Sequence, residues 1–410
     1  MRPASLLTLL ATLAGAAHAE PLTLADALSR ARTSAPSIAA KALQVDAARA
    51  AAGPAGALPD PKISVGVTDF PISGPLAGRP GLDNFSMLSL GYSQDVPSRN
   101  KRRARVEGAR ADIGAAQAEQ AAETRAAEIG AGEAWVALYY AERKLAALDA
   151  LDRALTQERE TAPARLASGA ARPALALEPQ QRLAALADRR EALRVQALEA
   201  RADLARWIGP DAAVEPSGPP PGLGLDAAAL RAHLDDLPAL QMAAAKIRQA
   251  EAGADEARAE TRPDWGYGVQ YDHRDPRFGD YVSGHLNFSL PLFARTRQDP
   301  LIAARLARVN AALADRDAVR RELQAALERA LAEHTLHHAR LARARDVLVP
   351  LAKRRAELEA ASYGGRTASL TDVLAARREE VEAELNALDR EAETAEHVVA
   401  LVLTYGETQP

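Results

Sequence analysis

Two kinds of hydrophobic pattern alternate along the chain, one typical of helices and one typical of strands. Between Pro97 and Pro163 there is no proline, and alanine, leucine and charged residues recur throughout. At 1.5 Å per residue this segment can form a helix of roughly 90 Å. Leu301–Pro350 has the same character, and each segment is followed by a glycine-containing turn and a second helical stretch. The pattern predicts two long antiparallel helical hairpins.

Four short segments instead alternate between apolar and small polar residues. In the first of them, Ile63, Val65 and Val67 share one face, and Ser64 and Gly66 share the other. Lipid outside and water inside a membrane barrel would produce this alternation. The predicted strands are 62–70, 86–96, 265–273 and 281–291.

The aromatic residues favour a membrane location for these strands. Ten of the 16 aromatics, including all five phenylalanines, lie between Lys62 and Val96 or between Trp265 and Phe293. A soluble sheet packed on its own helices would give the same alternation without this concentration. Since four strands cannot close a membrane barrel and open edges are excluded from lipid, several chains must share one barrel.

The chain also repeats its own pattern. Leu28 and Pro36 recur as Leu230 and Pro238, both at an offset of 202 residues. A segment rich in proline and glycine separates the two halves. The predicted domains are a first repeat at 20–209, a linker at 210–224 and a second repeat at 225–410.

Composition narrows the function classes. The net charge of −4 does not favour nucleic-acid binding, and the absence of cysteine rules out thiolate chemistry and lipid attachment through an N-terminal cysteine. No G-x-S-x-G elbow or phosphate-binding glycine loop occurs, so no enzyme and no cofactor are expected. Residues 1–19 have an apolar run and end in Ala17-His18-Ala19, which predicts a cleaved secretory signal peptide.

The order of signal peptide, helix, strand pair, long helical hairpin and linker resembles the TolC family of outer-membrane efflux proteins. Leu58-Pro59-Asp60-Pro61 before the first strand and Ser289-Leu290-Pro291-Leu292-Phe293 after the fourth resemble the heavy-metal branch of that family, the CzcC and CusC type. The resemblance implies a mainly α fold with a β-barrel part, in which three chains share one outer-membrane barrel and form a helical tunnel through the periplasm. It also implies a homotrimer that works with a periplasmic adaptor and an inner-membrane pump of the resistance-nodulation-division type.

The resemblance assigns roles to the turns at the far ends of the hairpins. It implies that Asp372 contributes to an acidic ring at a periplasmic gate, where three carboxylates repel each other and attract cations. A helix cap or a surface salt bridge is the alternative role for this aspartate. The residues expected to dock the adaptor are Leu166, Ser168, Gly169, Gly364, Gly365, Leu370 and Val373.

Two further sets of residues complete the candidate sites. Prolines end helices and favour extended geometry before them, so we expect helix-to-barrel junctions at Pro59, Pro61, Pro97, Pro263 and Pro291. His334 and His338 have the i, i+4 spacing that can chelate zinc, but no third ligand is apparent. No metal site is therefore assigned, and a solvated helix face or an interhelical hydrogen bond is the simpler interpretation.

The sequence thus predicts a passive outer-membrane conduit that exports substrate from the periplasm to the exterior. The two short motifs indicate that this substrate is heavy-metal cations. Two alternatives stay open: a channel for drugs or secreted molecules, and a soluble periplasmic coiled-coil scaffold or adaptor.

Overall fold

The computed structural model describes residues 20–79, 82, 84–168, 173–210, 214–218 and 222–406, which form two compact units. Unit 1 contains the described residues of Met1–Ile38, Thr124–His233 and Ala325–Pro410. Unit 2 is formed by Ala39–Glu123 and Leu234–Gln324. The predicted signal peptide, residues 1–19, lies outside the described residues.

Helices dominate both units. Those before the residue-210 linker are α1 (Leu24–Ser34), α2 (Pro36–Ala52), α3 (Arg99–Ala167) and α4 (Glu178–Ile208). Those after it are α5 (Ala227–Ala232), α6 (Pro238–Ala259), α7 (Ala294–Arg343), α8 (Val349–Gly364) and α9 (Leu370–Tyr405). Within the described segments, no helix combines the length and the apolar character needed to cross a membrane.

The core of unit 1 is built around the aromatic residues of α3. Trp135 and Tyr140 are fully buried together with Leu138, and they pack with apolar residues of α1, α4 and α9. The Trp135 indole N–H donates to the carbonyl of Leu22 at 2.8 Å, so this buried polar group has a partner. Leu22 belongs to β1 (Glu20–Leu22), which pairs in parallel with β4 (Val214–Pro216).

A ladder of leucines continues the contact between the helices of unit 1. Leu148, Leu151 and Leu155 of α3 pack against Leu186 and Leu193 of α4. Their spacing of three to four residues on α3 and seven on α4 gives each helix one apolar seam. The first predicted hairpin is therefore held by leucine packing, as its sequence pattern indicates.

Unit 2 contains a four-stranded antiparallel sheet. Its strands are β2 (Lys62–Thr68), β3 (Met87–Val96), β5 (Asp264–His273) and β6 (Tyr281–Ser289), in the order β2-β3-β5-β6. The central pairing aligns Leu90 with Tyr271 and Gly91 with Gln270. In the described chain β2 and β6 each pair on one side only, so the sheet has two open edges.

Prolines shape the long helices without ending all of them. α3 continues through Pro163 to Ala167, and α7 contains Pro300. Each proline removes one intrahelical N–H donor, and both lie near a helix end, where little of the helix is affected. Pro350 instead stands in the first turn of α8, directly after a π-helical turn at Ala344–Leu348.

Candidate functional sites

One face of the four-stranded sheet is apolar and exposed. Ile63 of β2 is 74% exposed and Val282 of β6 is 73% exposed, although both are large aliphatic residues. The same face carries Leu90, Tyr92, Tyr267, Val269 and Phe288. An apolar surface of this extent is unfavourable in water and suits contact with lipid.

The opposite face of the sheet carries small and polar residues that bond to one another. The Ser89 hydroxyl donates to the Asp272 carboxylate at 2.6 Å, and the Gln270 amide donates to the same oxygen at 2.8 Å. Thr68 shares a 2.8 Å hydrogen bond with Ser89. Asp272 is therefore both buried and satisfied, and it forms part of the polar surface rather than an unpaired charge.

Glycine on this polar face makes room for a histidine of the neighbouring strand. Gly268 of β5 pairs with His285 of β6, and a β-carbon at Gly268 would overlap the imidazole ring. His285 thus occupies space that any other residue at 268 would fill.

The predicted helix-to-barrel junctions lie where helices and strands meet. Pro59 and Pro61 precede β2, and the carbonyl of Pro59 accepts a 2.7 Å hydrogen bond from the Gln94 side chain of β3. Pro97 is buried between β3 and α3, and Pro263 directly precedes β5. Pro291 stands between β6 and α7, next to the close contact in which the Leu292 N–H donates to the Leu290 carbonyl.

A buried lysine at the start of α3 fixes one junction. Lys101 in the first turn of α3 is 7% exposed and bonds Asp264 at 2.5 Å and Glu260 at 2.9 Å. Asp264 also accepts from the backbone N–H of Ser98 at 2.8 Å. Burial opposes the Lys101 charge, but the two carboxylates outweigh it and hold the lysine pKa above its usual value.

An arginine links the two loops at the other end of the sheet. Arg274, after β5, is 5% exposed and donates to the backbone and side-chain oxygens of Asn84 at 3.1 and 2.9 Å. Its guanidinium also donates to the Gly279 carbonyl and lies 3.8 Å from the centroid of the Tyr281 ring. The β2–β3 and β5–β6 loops are thereby tied by one side chain, which no sequence motif indicates.

The second hairpin tip lies between α8 and α9. Gly364 ends α8, Gly365 follows at φ −80°, and Arg366 adopts the left-handed conformation at φ +63°. A β-carbon on Gly364 would meet nothing within 4 Å, and one on Gly365 would make only ordinary contacts. The chain itself therefore requires neither glycine for space or conformation.

Asp372 lies in a capping box at the start of α9. Its carboxylate accepts from the Ser369 hydroxyl at 2.6 Å and from the Ser369 N–H at 2.9 Å, and the Ser369 hydroxyl accepts from the Asp372 N–H. These bonds, helped by the charge of Arg165, lower the Asp372 pKa below its usual range. Leu370 and Val373 are half-buried on the first turn of this helix.

The first hairpin tip follows α3. Leu166 is exposed. Ser168 caps the end of the helix, because its N–H donates to the Ala164 carbonyl and its hydroxyl donates to the Arg165 carbonyl. Gly169, the remaining predicted docking residue, lies outside the described residues.

His334 and His338 lie on α7 with ring centroids 6.0 Å apart. The structure adds His337 of the same helix and His397 of α9 to this pair. Among the residues that the structure describes, no group of three or more histidine, aspartate or glutamate side chains is arranged to hold a metal ion. His397 could not be found from the sequence, because nothing in helical spacing connects positions about 60 residues apart.

The architecture is that of outer-membrane channels of known structure. The outer-membrane channel OprN matches with a TM-score of 0.74 at 17% identity, covering 94% of this chain and 90% of that one. CusC matches at 0.73 and 16% identity, covering 94% and 92%. The Campylobacter jejuni CmeC outer membrane channel matches at 0.72 and 14% identity, covering 93% and 85%. These similarities define the fold class.

The chain belongs to the outer membrane efflux protein family, whose model matches residues 27–210 and 230–407. The predicted relationship to the TolC family is confirmed, and with it the prediction that the chain is not an enzyme. Among curated proteins, no sequence matches significantly.

Proposed function

We propose that the chain is the outer-membrane component of a tripartite efflux system, a homotrimer in which each chain contributes four strands to one barrel. The observation that carries this proposal is the four-stranded sheet of unit 2, with its exposed apolar face and two open edges. Unpaired strand edges are excluded from hydrocarbon, so β2 of one chain must pair with β6 of a neighbour. Three such sheets make a barrel of about twelve strands.

The same proposal orients the chain. The sheet lies in the outer membrane and anchors the chain there, and the helices extend into the periplasm. The two segments matched by the family model support two tandem efflux repeats, at 20–209 and 225–410, joined by the 210–224 linker.

The hairpin tips are the proposed docking surface for a periplasmic adaptor, which in turn couples the channel to an inner-membrane pump. Gly364 and Gly365 support this role, since neither is required by the chain's own packing or backbone. Since the fold itself would accept a side chain at these two positions, glycine there is suited to close approach by the backbone of another protein. Leu166, Leu370 and Val373 offer apolar contacts beside the turns.

Asp372 is the proposed gate residue. One carboxylate oxygen, Oδ2, accepts both bonds from Ser369, and the group stays ionised because these bonds lower its pKa. Three such carboxylates in a trimer would form a ring of negative charge that attracts cations. The cap and the gate are compatible roles for one side chain.

The proposed cargo is heavy-metal cations, for which the support is the Leu58-Pro59-Asp60-Pro61 motif and the Ser289-to-Phe293 segment. Deleting the gene should lower tolerance to zinc, cadmium, cobalt, copper or silver. A strain with unchanged metal tolerance and altered drug tolerance would instead assign the channel to drugs.

The gate has a matched control within the chain. Asp26 forms the same capping box with Thr23 at the start of α1, so Asp26→Asn and Asp372→Asn remove the same charge from the same local structure. In planar bilayers, Asp372→Asn should reduce the preference for cations and Asp26→Asn should not. Equal effects of the two variants would refute the gate, and recovery of the wild-type chain as a detergent-free aqueous monomer would refute the channel.

A further inference from the structure

Four of the chain's eight histidines meet between two helices of unit 1. The His397 ring of α9 stacks on His334 of α7, with centroids 6.3 Å apart and planes 7° from parallel. His337 lies 5.3 Å from His397, and His338 lies 6.0 Å from His334. We call these four residues the histidine cluster.

The hydrogen bonds of the cluster favour neutral rings. His397 approaches the carbonyl of Ala330 with Nε2 at 2.7 Å, a contact that requires the proton on this nitrogen. The Nδ1 atoms of His334 and His337 are buried and make no hydrogen bond. An imidazolium carries a proton on both nitrogens, so charging His334 would place an N–H where no acceptor is available.

The charges around the cluster distinguish its members. Nδ1 of His337 lies 3.7 Å from a carboxylate oxygen of Glu393 on α9, and that carboxylate is already held by Arg390 at 2.9 Å. His337 therefore lies close to a carboxylate without a hydrogen bond to it. Burial lowers the His334 pKa, and the other three histidines of the cluster lower it further.

We propose that the histidine cluster is a shared proton-binding site that holds α7 against α9 when its rings are neutral and loosens this contact on acidification. Stacked imidazoles attract as neutral rings, whereas two imidazolium rings at this separation repel each other across a partly desolvated contact. The rings lack the arrangement of a metal site, so a proton is the ligand that the geometry favours.

The direction of the pH dependence follows from His334. Because its pKa is lower in the folded chain than in a free imidazole, about 6.5, the open state binds more protons than the closed state. The contact is thus fully formed above about pH 6.5 and weakens as the pH falls through the lower folded value.

Hydrogen exchange of the full-length chain in detergent tests the proposal, with rates corrected for the intrinsic effect of pH. Between pH 7.5 and 5.0, segments 330–340 and 393–401 should lose protection several-fold, because the open state binds protons more readily than the closed state. Leu148–Leu155 of α3 serves as the reference segment and should not change. Equal protection of the cluster segments at both pH values would overturn the proposal.

Two variants separate the proton from the packing. His334→Phe retains a flat ring on His397 but cannot be charged, and it should remove most of the pH-dependent loss. His397→Gln retains a donor for Ala330 and removes one of the three imidazoles near His334, so it should remove only part of the loss. His233→Phe, outside the cluster, should behave as wild type. The proposal fails if His334→Phe keeps the full loss, or if zinc added at pH 7.5 slows exchange in wild type but not in His334→Phe, which would identify a metal site.

Discussion

Gly130 of α3 lies directly against the indole ring of Trp207 of α4. A β-carbon at position 130 would stand 2.5 to 2.6 Å from three atoms of that ring. The rigid indole cannot yield as a flexible chain could, so the glycine sets how closely the two helices approach.

Gly130→Ala should therefore destabilise the protein despite the better helix propensity of alanine. We expect a loss of about 1–3 kcal/mol from overpacking, against a gain of up to about 1 kcal/mol in propensity. Thermal unfolding in detergent measures the difference.

Gly108→Ala is the matched control on the same helix. A β-carbon there meets no atom of the chain within 4 Å, so only the gain in propensity remains. Stabilisation of both variants would contradict the steric role of Gly130.

The junction between β5 and α3 should depend on the Asp264 carboxylate. Asp264→Ala removes the acceptor of Lys101 and of the Ser98 N–H, and it leaves a buried ammonium with Glu260 as its remaining carboxylate partner. We expect a loss of about 1.5–3 kcal/mol, the usual range for a hydrogen bond to a charged group. Denaturant unfolding followed by tryptophan fluorescence reports it.

Alkaline pH gives an independent check of this junction. The raised Lys101 pKa means that its contribution is complete below the unfolded value of about 10.5 and is lost as the pH rises through the folded value. Asp264→Ala should therefore lose less stability than wild type above pH 10. An identical alkaline dependence in both chains would remove Lys101 from this role.

The cap of α9 should be insensitive to mild acid. Because the Asp372 pKa is lowered, its contribution is present above the unfolded value and disappears as the pH falls through the lower folded one. Ser369→Ala should cost about 1 kcal/mol at pH 7 and nearly as much at pH 5. A cost that vanished by pH 5 would mean that Asp372 had already been protonated.

Arg366 should tolerate glycine better than any other substitution. It is exposed and has φ +63°, a conformation that glycine adopts without steric cost. Arg366→Gly should keep or raise the unfolding temperature by a few degrees, whereas Arg366→Val should lower it, because a β-branched residue is strained there. If Arg366→Gly also bound the adaptor more tightly than Arg366→Val, the conformation of this turn would contribute to docking.

The helices and strands follow from patterns that are local in sequence. Alternation places Ile63 and Val65 on one face of β2, and leucine spacing places Leu148 and Leu155 on one seam of α3. The capping box of Ser369 and Asp372 likewise depends on a motif of only four residues. Such features depend on neighbours along the chain, and a single sequence contains them.

The contacts that join distant segments could not be read in this way. The approach of His397 to His334, and of Arg274 to Asn84, depends on which helix or loop lies opposite. The left-handed residue at the second tip was also hidden, because two glycines stand beside it and glycine is the usual occupant of that conformation. Arg366 holds it instead.

The π-helical turn at Ala344–Leu348 changes the rotation of α8, the helix that follows it directly, about the helix axis. One additional residue in a turn rotates the downstream helix by about 100° relative to an uninterrupted α-helix. The rotation of α8 about its axis, and therefore the set of its side chains that faces α9, is fixed where the π-helical turn ends at residue 348. Removing one residue from this turn would turn a different stripe of α8 toward its neighbour while leaving its sequence intact.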